Sequence, residues 1–488
     1  MDINHISWGD DSAEKDAHLL EYFVSSDSFE RLSQRTKNIV IGRKGAGKSA
    51  LLAKLSQVFQ EDGSHVIRIA PKYNSIRTIL NDAELVRDFG QEIFFQHTWL
   101  RQIYLDILCC IGHQKKSSFA SNSFEFARAI AIQQNRTSKD LVENISDILE
   151  RIKVKAGKLG DFGLQLEKAL RDVADVESLE HHVKELLHNN VKVVIMIDDL
   201  DLGWDNSEIA NNMLLGLLSA VSYIGSLSSA LHPMVFLRED VYSILLGKTQ
   251  HSDKYRNVER LKWSQQALVD LLTARITFNR QRDGLVDIDD AFHSVFPRQV
   301  GTTTSDNWLV ERTLSRPREL IQLARYYTES VEGDEPSDQA LKNSESNYSN
   351  WKLEDLCAEY SNQYPDLNMV FLYWKTKFFR QKYRLKYVEI EEILLSILTD
   401  VTINKDWFNR LATEVDIDGF LKILYEVGFV GDFVLGGQGG SKTYYAYEGR
   451  HDPLFDDVQI HPCFRKAVNT VERIRDNSGR NAAAPGKN

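Results

Sequence analysis

A glycine-rich run carries the residue types that bind phosphate. It has the spacing G-x-x-x-x-G-K-S and consists of Gly42, Arg43, Lys44, Gly45, Ala46, Gly47, Lys48 and Ser49. Glycine lacks a Cβ, so the backbone can reach positive φ and approach an anion closely. Backbone N–H groups and the positive end of a following helix then face the anion. We predict that residues 42–50, ending at Ala50, bind a nucleotide phosphate group.

Two side chains of this run have separate predicted roles. Lys48 is expected to reach the β- and γ-phosphates, and the hydroxyl of Ser49 is expected to bind Mg²⁺. The flanking elements suit the motif, because residues 39–41 predict a short buried strand and residues 50–55 are strong helix formers. The alternative, a glycine loop that only turns a corner, is disfavoured by this context.

A second group of charged residues follows another apolar run. Residues 191–197 predict a strand buried on both faces, as in a parallel sheet, and Asp198-Asp199-Leu200-Asp201 follow it directly. Ligands bind at the carboxyl ends of such strands. We therefore predict that Asp198 holds Mg²⁺ and that Asp199 polarises an attacking water. The alternative is that these acids only end a strand.

Two arginines are candidates for contacts to the γ-phosphate. Arg238 follows a predicted strand at 233–237, where it could act as a phosphate sensor or arginine finger, or form a structural ion pair with a neighbouring acid. Arg318 lies in the first turn of a helix predicted to begin near Pro317. There it could meet phosphates or remain a solvated surface residue, and the sequence leaves both questions open.

Composition narrows the class of protein. The chain has 488 residues, 42% hydrophobic and 26% charged, which predicts a globular protein of two to four domains. Its net charge of −11 weighs against non-specific nucleic-acid binding by the whole surface. The four cysteines form no C-x-x-C pair, which disfavours zinc ribbons and thioredoxin-type chemistry. With no signal peptide and no membrane-spanning run, we expect a cytoplasmic location and no membrane partner.

The elements that position these residues suggest five regions. Residues 1–37 predict an N-terminal helical segment, with Ser12 as a helix cap; it either packs before the first strand or closes over the nucleotide base. Residues 38–260 predict the nucleotide-binding core, with a strand at 65–70 and a helical insertion at about 76–190. A turn or small hairpin is expected at 155–163. The role of the insertion, a solvated helical appendage or a surface that docks a partner, is open. The remaining regions are a helical lid at 261–335, a helical domain at 350–474 and a disordered tail at 475–488.

Residues 331–350 are rich in Ser, Asn, Asp and Glu and predict a linker. Beyond it, three helices at 388–400, 406–414 and 417–427, with a hairpin around 436–440, predict a winged-helix-like domain. Basic and aromatic residues alternate across 373–387, which could bind DNA by charge and stacking. The alternative is an amphipathic helix with buried rings and solvated lysines.

These motifs together resemble a known group. Residues 42–49, called the phosphate loop below, the block Asp198–Asp201 and the strand end 236–240 are similar to bacterial P-loop ATPases related to the KAP and STAND groups, in the additional-strand, AAA-like division. The segment from Trp8 to Phe23 and residues 315–318 also fit, so the resemblance covers residues 5–330. It implies an α/β P-loop NTPase fold, a parallel sheet with a large helical insertion, a helical lid and ATP with Mg²⁺ as cofactors.

The resemblance also implies an ATP-driven switch that works as a homo-oligomer or with a partner effector, in bacterial conflict systems such as phage defence. The sequence departs from the group at two positions. Asp199 stands where Glu is common, which implies slow turnover, and Arg238 replaces the usual polar sensor.

Three hypotheses for function follow. The first is an ATPase whose cycle rearranges an oligomer or partner. The second is a non-hydrolysing ATP-bound switch, and the third is a DNA-binding regulator that uses 373–387 and the C-terminal domain. A nuclease is disfavoured because the sequence has no second carboxylate-rich metal cluster.

Overall fold

The structure is a computed structural model. It describes residues 2–10, 12–70, 91–113, 121–133, 175–200, 204–249, 252–436, 440–449 and 452–471. The chain forms two compact units. One is Gly9–Trp263, and the other combines Met1–Trp8 with Ser264–Asn488.

The unit Gly9–Trp263 is built on a five-stranded parallel sheet. Its strands are β1 (Ile39–Gly42), β2 (His65–Ile69), β3 (Val193–Ile197), β4 (Leu231–Arg238) and β5 (Val258–Arg260). Their order is β2-β3-β4-β1-β5, so β4 lies between β1 and β3. Every residue of β1, β3 and β4 is buried, which explains their near-continuous apolar sequences. The predicted α/β fold with a parallel P-loop sheet is confirmed.

Helices cover both faces of this sheet. They are α1 (Asp27–Ser33), α2 (Lys48–Glu61), α3 (Gln91–Gly112), α4 (Asn122–Gln133), α5 (Val176–His188), α6 (Glu208–Gly225) and α7 (Glu239–Lys248). Successive side chains of each strand point to opposite faces of the sheet, so they contribute to two separate hydrophobic cores. Val40 and Val194 pack with α1 and α2, whereas Ile41 and Ile195 pack with α3 and α6.

The described parts of the insertion are helical, as expected. Helix α6 packs closely on α3 at Gly216. A Cβ added there would lie only 2.6 Å from the Cβ of Phe95, so the close approach of the two helices requires glycine. The turn or hairpin expected at 155–163 lies outside the described residues.

The N-terminal prediction was partly wrong. Residues 12–21 form turns, and the first α-helix begins at Asp27, where the Ser26 hydroxyl accepts a hydrogen bond from the Phe29 backbone N–H at 3.3 Å. Ser12 does not cap a helix. Its hydroxyl instead donates to the Glu14 carboxylate at 2.7 Å.

The second unit begins with helices α8 (Gln265–Arg282), α9 (Ser305–Glu311), α10 (Pro317–Ser330) and α11 (Asp338–Glu359). A two-stranded ribbon of β6 (Gln299–Val300) and β7 (Thr303–Thr304) precedes α9. Pro317 is the first residue of α10, as predicted.

The prediction of a linker at 331–350 was wrong from residue 338 onward, because α11 occupies that stretch. Buried Leu341 and Tyr348 hold α11 in the core, and the buried Lys352 ammonium pairs with Glu319 at 3.0 Å. These tertiary contacts outweigh the polar composition of the stretch.

The chain ends in helices α12 (Leu367–Lys377), α13 (Tyr387–Asp400), α14 (Asp406–Glu414) and α15 (Ile417–Glu426) and a four-stranded antiparallel sheet. Its strands are β8 (Arg384–Lys386), β9 (Val430–Val434), β10 (Lys442–Tyr444) and β11 (Asp457–Ile460), in the order β10-β9-β11-β8. The three predicted helices and the predicted β9–β10 hairpin are confirmed.

Residues 373–387 are not a single helix. They comprise the end of α12, a turn and β8. The tail expected at 475–488 lies outside the described residues. In the part of the chain that the structure describes, no helix is long and apolar enough to cross a membrane.

Candidate functional site

The loop between β1 and α2 depends on its glycines for different reasons. Gly45 has φ 76° and Gly47 has φ 91°, both in the left-handed region that side chains disfavour. An added Cβ at Gly42 would lie 3.2 Å from the Leu261 side chain and 3.3 Å from the Ala46 Cβ. The backbone therefore curves as a tight loop immediately before α2.

Helix α2 begins at Lys48, and its N-cap residue is Gly47, which has no side chain to cap it. Its first-turn N–H groups and the positive end of the helix dipole therefore sit at the loop, which suits an anion. The Lys48 ammonium donates to the Gly42 carbonyl oxygen at 3.0 Å and lies 3.4 Å from that of Arg43. The loop thus carries a cation folded back over its own backbone.

Trp263, which follows β5, contacts the loop through a hydrogen bond. The sequence analysis did not identify it as part of the site. Its indole N–H donates to the Ala46 carbonyl oxygen at 2.9 Å. Its ring lies 3.7 Å from the position of an added Gly47 Cβ. The chain reaches this place because β5 pairs with β1, and the Leu261 N–H continues the pairing to Ile41 at 2.9 Å. In the sequence, Trp263 is marked only as an aromatic residue that closely follows a short strand.

Glu14 is a second residue that the sequence did not reveal. Its carboxylate accepts a hydrogen bond from the Ser12 hydroxyl at 2.7 Å. Burial raises the pKa of Glu14, but the Ser12 hydroxyl, its own backbone N–H, the nearby Ser49 hydroxyl and the charge of Arg68 outweigh it and hold that pKa below its usual value. The N-terminal segment therefore brings a carboxylate to the serine of the loop.

The predicted acids lie at the same edge of the sheet as the loop, because β1, β3 and β4 are parallel. The Asp198 N–H donates to the Ile69 carbonyl oxygen at 3.1 Å, and its side chain is half-buried. Asp199 is exposed and has φ 57°. Since β4 intervenes, the strands that carry the loop and the acids are about 10 Å apart. Asp201 lies outside the described residues.

Arg238 lies at this edge, because its Cα is the register partner of Gly42. Its guanidinium makes two bonds to the Asp240 carboxylate, at 3.0 Å from Nε and 2.7 Å from Nη2. The ion pair with a neighbouring acid, which the sequence left open, is therefore present.

Arg318 belongs to the other unit. There its guanidinium lies 3.5 Å from the Asp355 carboxylate and 5.8 Å from the centre of the Trp351 ring. Arg316, two residues earlier, is fully buried and pairs with Glu359 at 2.7 Å. Of these two arginines, Arg318 is the more exposed.

Oxygen ligands suit Mg²⁺, which is usually held by one or two carboxylates together with substrate phosphates. Ser49 and Asp198 are donors of this kind. Among the described residues, no group of three or more His, Cys, Asp or Glu side chains could hold a metal by itself. The donor set therefore fits a magnesium ion that arrives with a nucleotide better than a resident metal ion.

The chain is similar to known proteins in part and over most of its length. Residues 266–357 match a family described as the FunZ-associated C-terminal helical domain. The chain is 24% identical over 524 residues to an 80.3 kDa protein ascribed to transposon gamma-delta in Escherichia coli (strain K12), covering 99% of this chain and 69% of that protein.

Two solved structures of the Aeropyrum pernix ORC2 protein are also similar. The ADPNP–ADP complex aligns with 90% of this chain and 95% of that chain, at 13% identity and a TM-score of 0.41. The ADP form aligns with 88% and 94%, at 13% identity and a TM-score of 0.35. The strand order β2-β3-β4-β1-β5 and the glycine-lined loop between β1 and α2 give the chain the α/β fold of P-loop nucleotide-binding proteins.

Proposed function

We propose that this chain binds Mg²⁺–ATP at residues 42–50 and hydrolyses it, and that the cycle acts as a nucleotide-driven switch. One observation carries the proposal: Gly45 and Gly47 adopt left-handed conformations and lead directly into the first turn of α2. A curved, glycine-lined backbone before a helix N-terminus is the arrangement that binds polyphosphates.

The proposed roles follow from the positions of the side chains. Lys48 binds the β- and γ-phosphates, while Ser49 and Asp198 hold Mg²⁺. When bound, the metal would neutralise charge on the transferred phosphoryl group. Asp199 orients the attacking water. Its carboxylate is one methylene shorter than the Glu common at this place, which supports slow turnover.

The two arginines have different proposed roles. Arg238 acts at the γ-phosphate, and its bidentate pair with Asp240 supports a fixed orientation for the guanidinium. Arg318 is a further candidate phosphate ligand, supported by its partly exposed side chain and by its place in the first turn of α10.

The wider role rests on sequence motifs. We propose a KAP/STAND-like ATPase that forms a homo-oligomer or acts on a partner effector in bacterial antiviral defence. A role associated with mobile DNA is the second setting, supported by the relative ascribed to a transposon.

The test is phosphate release and ATP binding by the full chain and by Lys48→Ala. We expect the substitution to reduce turnover about 10²–10³-fold, as the loss of a charge-stabilising group typically does. The matched control is Lys54→Ala, on the same helix, where the lysine donates to Gln57 at 3.0 Å.

Three outcomes separate the hypotheses. Wild-type turnover in Lys48→Ala would refute hydrolysis at this loop. Tight ATP binding without phosphate release would select the non-hydrolysing switch. Failure of the wild-type chain to bind ATP would overturn both.

A further inference from the structure

The turn between α12 and β8 presents an aromatic ring to solvent. Phe379 is 61% exposed, which is high for a phenylalanine, and it lies between Lys377 and Arg380. Lys382 follows within the same turn, and all three cations are exposed. Residues 377–382 are called the basic turn below. It combines a flat apolar surface with positive charge, in a chain whose net charge is −11.

The backbone of the basic turn is fixed on both sides. The Arg380 N–H donates to the Asn469 carbonyl oxygen at 2.7 Å, and the Val471 N–H donates to that of Gln381 at 2.9 Å. The Tyr383 N–H then donates back to the Val471 carbonyl oxygen at 3.2 Å. These bonds fix the backbone of the turn before any ligand binds, which reduces the entropy lost on binding.

Strand β8 extends the charged surface. Because side chains alternate along a strand, Lys382, Arg384 and Lys386 lie on one face, while Leu385 faces the core and is fully buried. The Arg384 guanidinium pairs with Asp457 at 2.6 Å and lies 3.7 Å from the centre of the Phe433 ring. Within the described ranges, no carboxylate lies within 4.0 Å of the side-chain nitrogens of Lys377, Arg380, Lys382 or Lys386. These four charges are therefore available to an anion.

Helix α15, the last of the three helices α13, α14 and α15, has an exposed face that is not basic. The exposed residues of α15 are Asp418, Lys422 and Glu426, each four apart, so its solvent face carries two acids and one lysine. In helix-turn-helix proteins, the recognition helix enters the major groove beside the phosphates. An acidic face opposes that approach, so the basic turn and β8 are the favoured anion-binding surface of this region.

We propose that the basic turn and the outer face of β8 bind single-stranded nucleic acid. Lysine and arginine side chains contact successive phosphates, and an unpaired base stacks on Phe379. Base stacking on an aromatic ring requires bases that are not enclosed in a duplex. This surface is built entirely within the second unit and does not depend on the phosphate loop.

The experiment is fluorescence anisotropy of a labelled single-stranded oligonucleotide, and of its duplex, with the full chain over a range of NaCl concentrations. We expect the single strand to bind more tightly, with a slope of log K against log [NaCl] near −3, about −0.7 for each of four phosphates. Phe379→Leu should weaken binding about five- to hundredfold, and Phe379→Tyr should restore it because the ring is kept.

Charge variants test the electrostatic part. Lys377→Gln and Lys382→Gln should each make the salt slope shallower by about 0.7. The control is Lys422→Gln, an exposed lysine on α15, which should change neither affinity nor slope. Thermal unfolding of each variant checks that it folds.

Four results would overturn the proposal. They are tighter binding of the duplex, unchanged affinity in folded Phe379→Leu, equal sensitivity to Lys422→Gln, or no binding of the single strand. Phe379-dependent binding to vesicles of anionic lipid, without binding to the oligonucleotide, would assign the surface to membranes instead.

Discussion

At the scale of single residues, Trp263 shows how a distant side chain shapes the phosphate loop. Its N–H bonds to a loop carbonyl oxygen, so it fixes the backbone whose N–H groups face the proposed phosphate. We propose that Trp263 positions the loop and does not contact the reacting atoms. The loss of one neutral hydrogen bond changes stability by about 0.5–1.5 kcal/mol.

We therefore expect Trp263→Phe, which keeps a ring but loses the N–H, to weaken ATP binding about two- to twelvefold. The turnover of bound ATP should change less than the affinity, because the side chains proposed to act in catalysis remain. Titration calorimetry and single-turnover kinetics separate the two quantities.

A matched control is Trp407→Phe. It removes an indole bond of 3.0 Å to the Pro365 carbonyl oxygen in the C-terminal region, far along the chain from the loop. Equal effects of the two substitutions on ATP affinity would show that Trp263 does not position the loop.

The sequence could reveal some residues of the site and not others. The loop glycines, Lys48 and the acids after β3 could be identified because each group lies within a few consecutive residues, in a recognisable pattern. Glu14 and Trp263 reach the loop from elements that flank the motif at a distance, and neither has a spacing that marks it. Such contacts follow from strand order, which the sequence alone did not supply.

At the scale of elements, β4 contains a residue that central strands usually exclude. Pro233 lacks an N–H to donate, and it lies opposite Ile195 of β3. On its other side β1 has not yet begun; the Asn38 side-chain amide donates to the Pro233 carbonyl oxygen at 2.8 Å. The Val235 N–H then donates to the Asn38 carbonyl oxygen at 2.8 Å and starts regular pairing. The proline is tolerated because it precedes that pairing.

His232, the preceding residue of β4, makes stability depend on pH. Burial, followed by the charge of Arg35, lowers its pKa to about 4. The unfolded chain binds the proton near pH 6.5, so this contribution to stability is lost as pH falls from about 6.5 towards 4. The loss between pH 7 and pH 5 is about 2 kcal/mol.

We expect His232→Gln to reduce the difference in unfolding free energy between pH 7 and pH 5 by about that amount. Denaturant unfolding of both proteins at the two pH values measures it. An unchanged difference would mean that other groups cause the pH dependence.

Elements with a clear apolar period could be predicted, and those that depend on buried charge could not. Helices α13, α14 and α15 were recognisable because their apolar residues follow the helical period. The start of α11 was not, because Glu345 is charged in the sequence and becomes buried only where it pairs with Arg312 at 2.6 Å. The turns at 12–21 were mistaken for a helix because Ser12 is a common capping residue but bonds to Glu14 instead.

At the scale of the whole molecule, the phosphate loop and both acids belong to Gly9–Trp263. A ligand that binds only the folded state stabilises it by about 2.7 kcal/mol when present at one hundred times its dissociation constant. We therefore expect Mg²⁺–ATP to raise the melting temperature of this unit and to slow hydrogen exchange in β1, α2 and β3.

Differential scanning calorimetry and hydrogen-exchange mass spectrometry measure these effects. Lys48→Ala should remove both, whereas Lys54→Ala should retain them. Protection by ATP that persists in Lys48→Ala would place the nucleotide elsewhere in the chain.

Strand β4 separates the two parts of the proposed site, because β1 and β3 share no hydrogen bonds. The distance between Lys48, which follows β1, and Asp198, the proposed magnesium ligand after β3, therefore depends on how β4 packs between them. Met234 and Phe236, in the interior of that strand, pack among the side chains beneath α2. Substitutions at these two residues could shift β1 relative to β3 and change the distance between the two proposed ligands. The rate of the proposed hydrolysis could therefore evolve through residues outside the proposed nucleotide site.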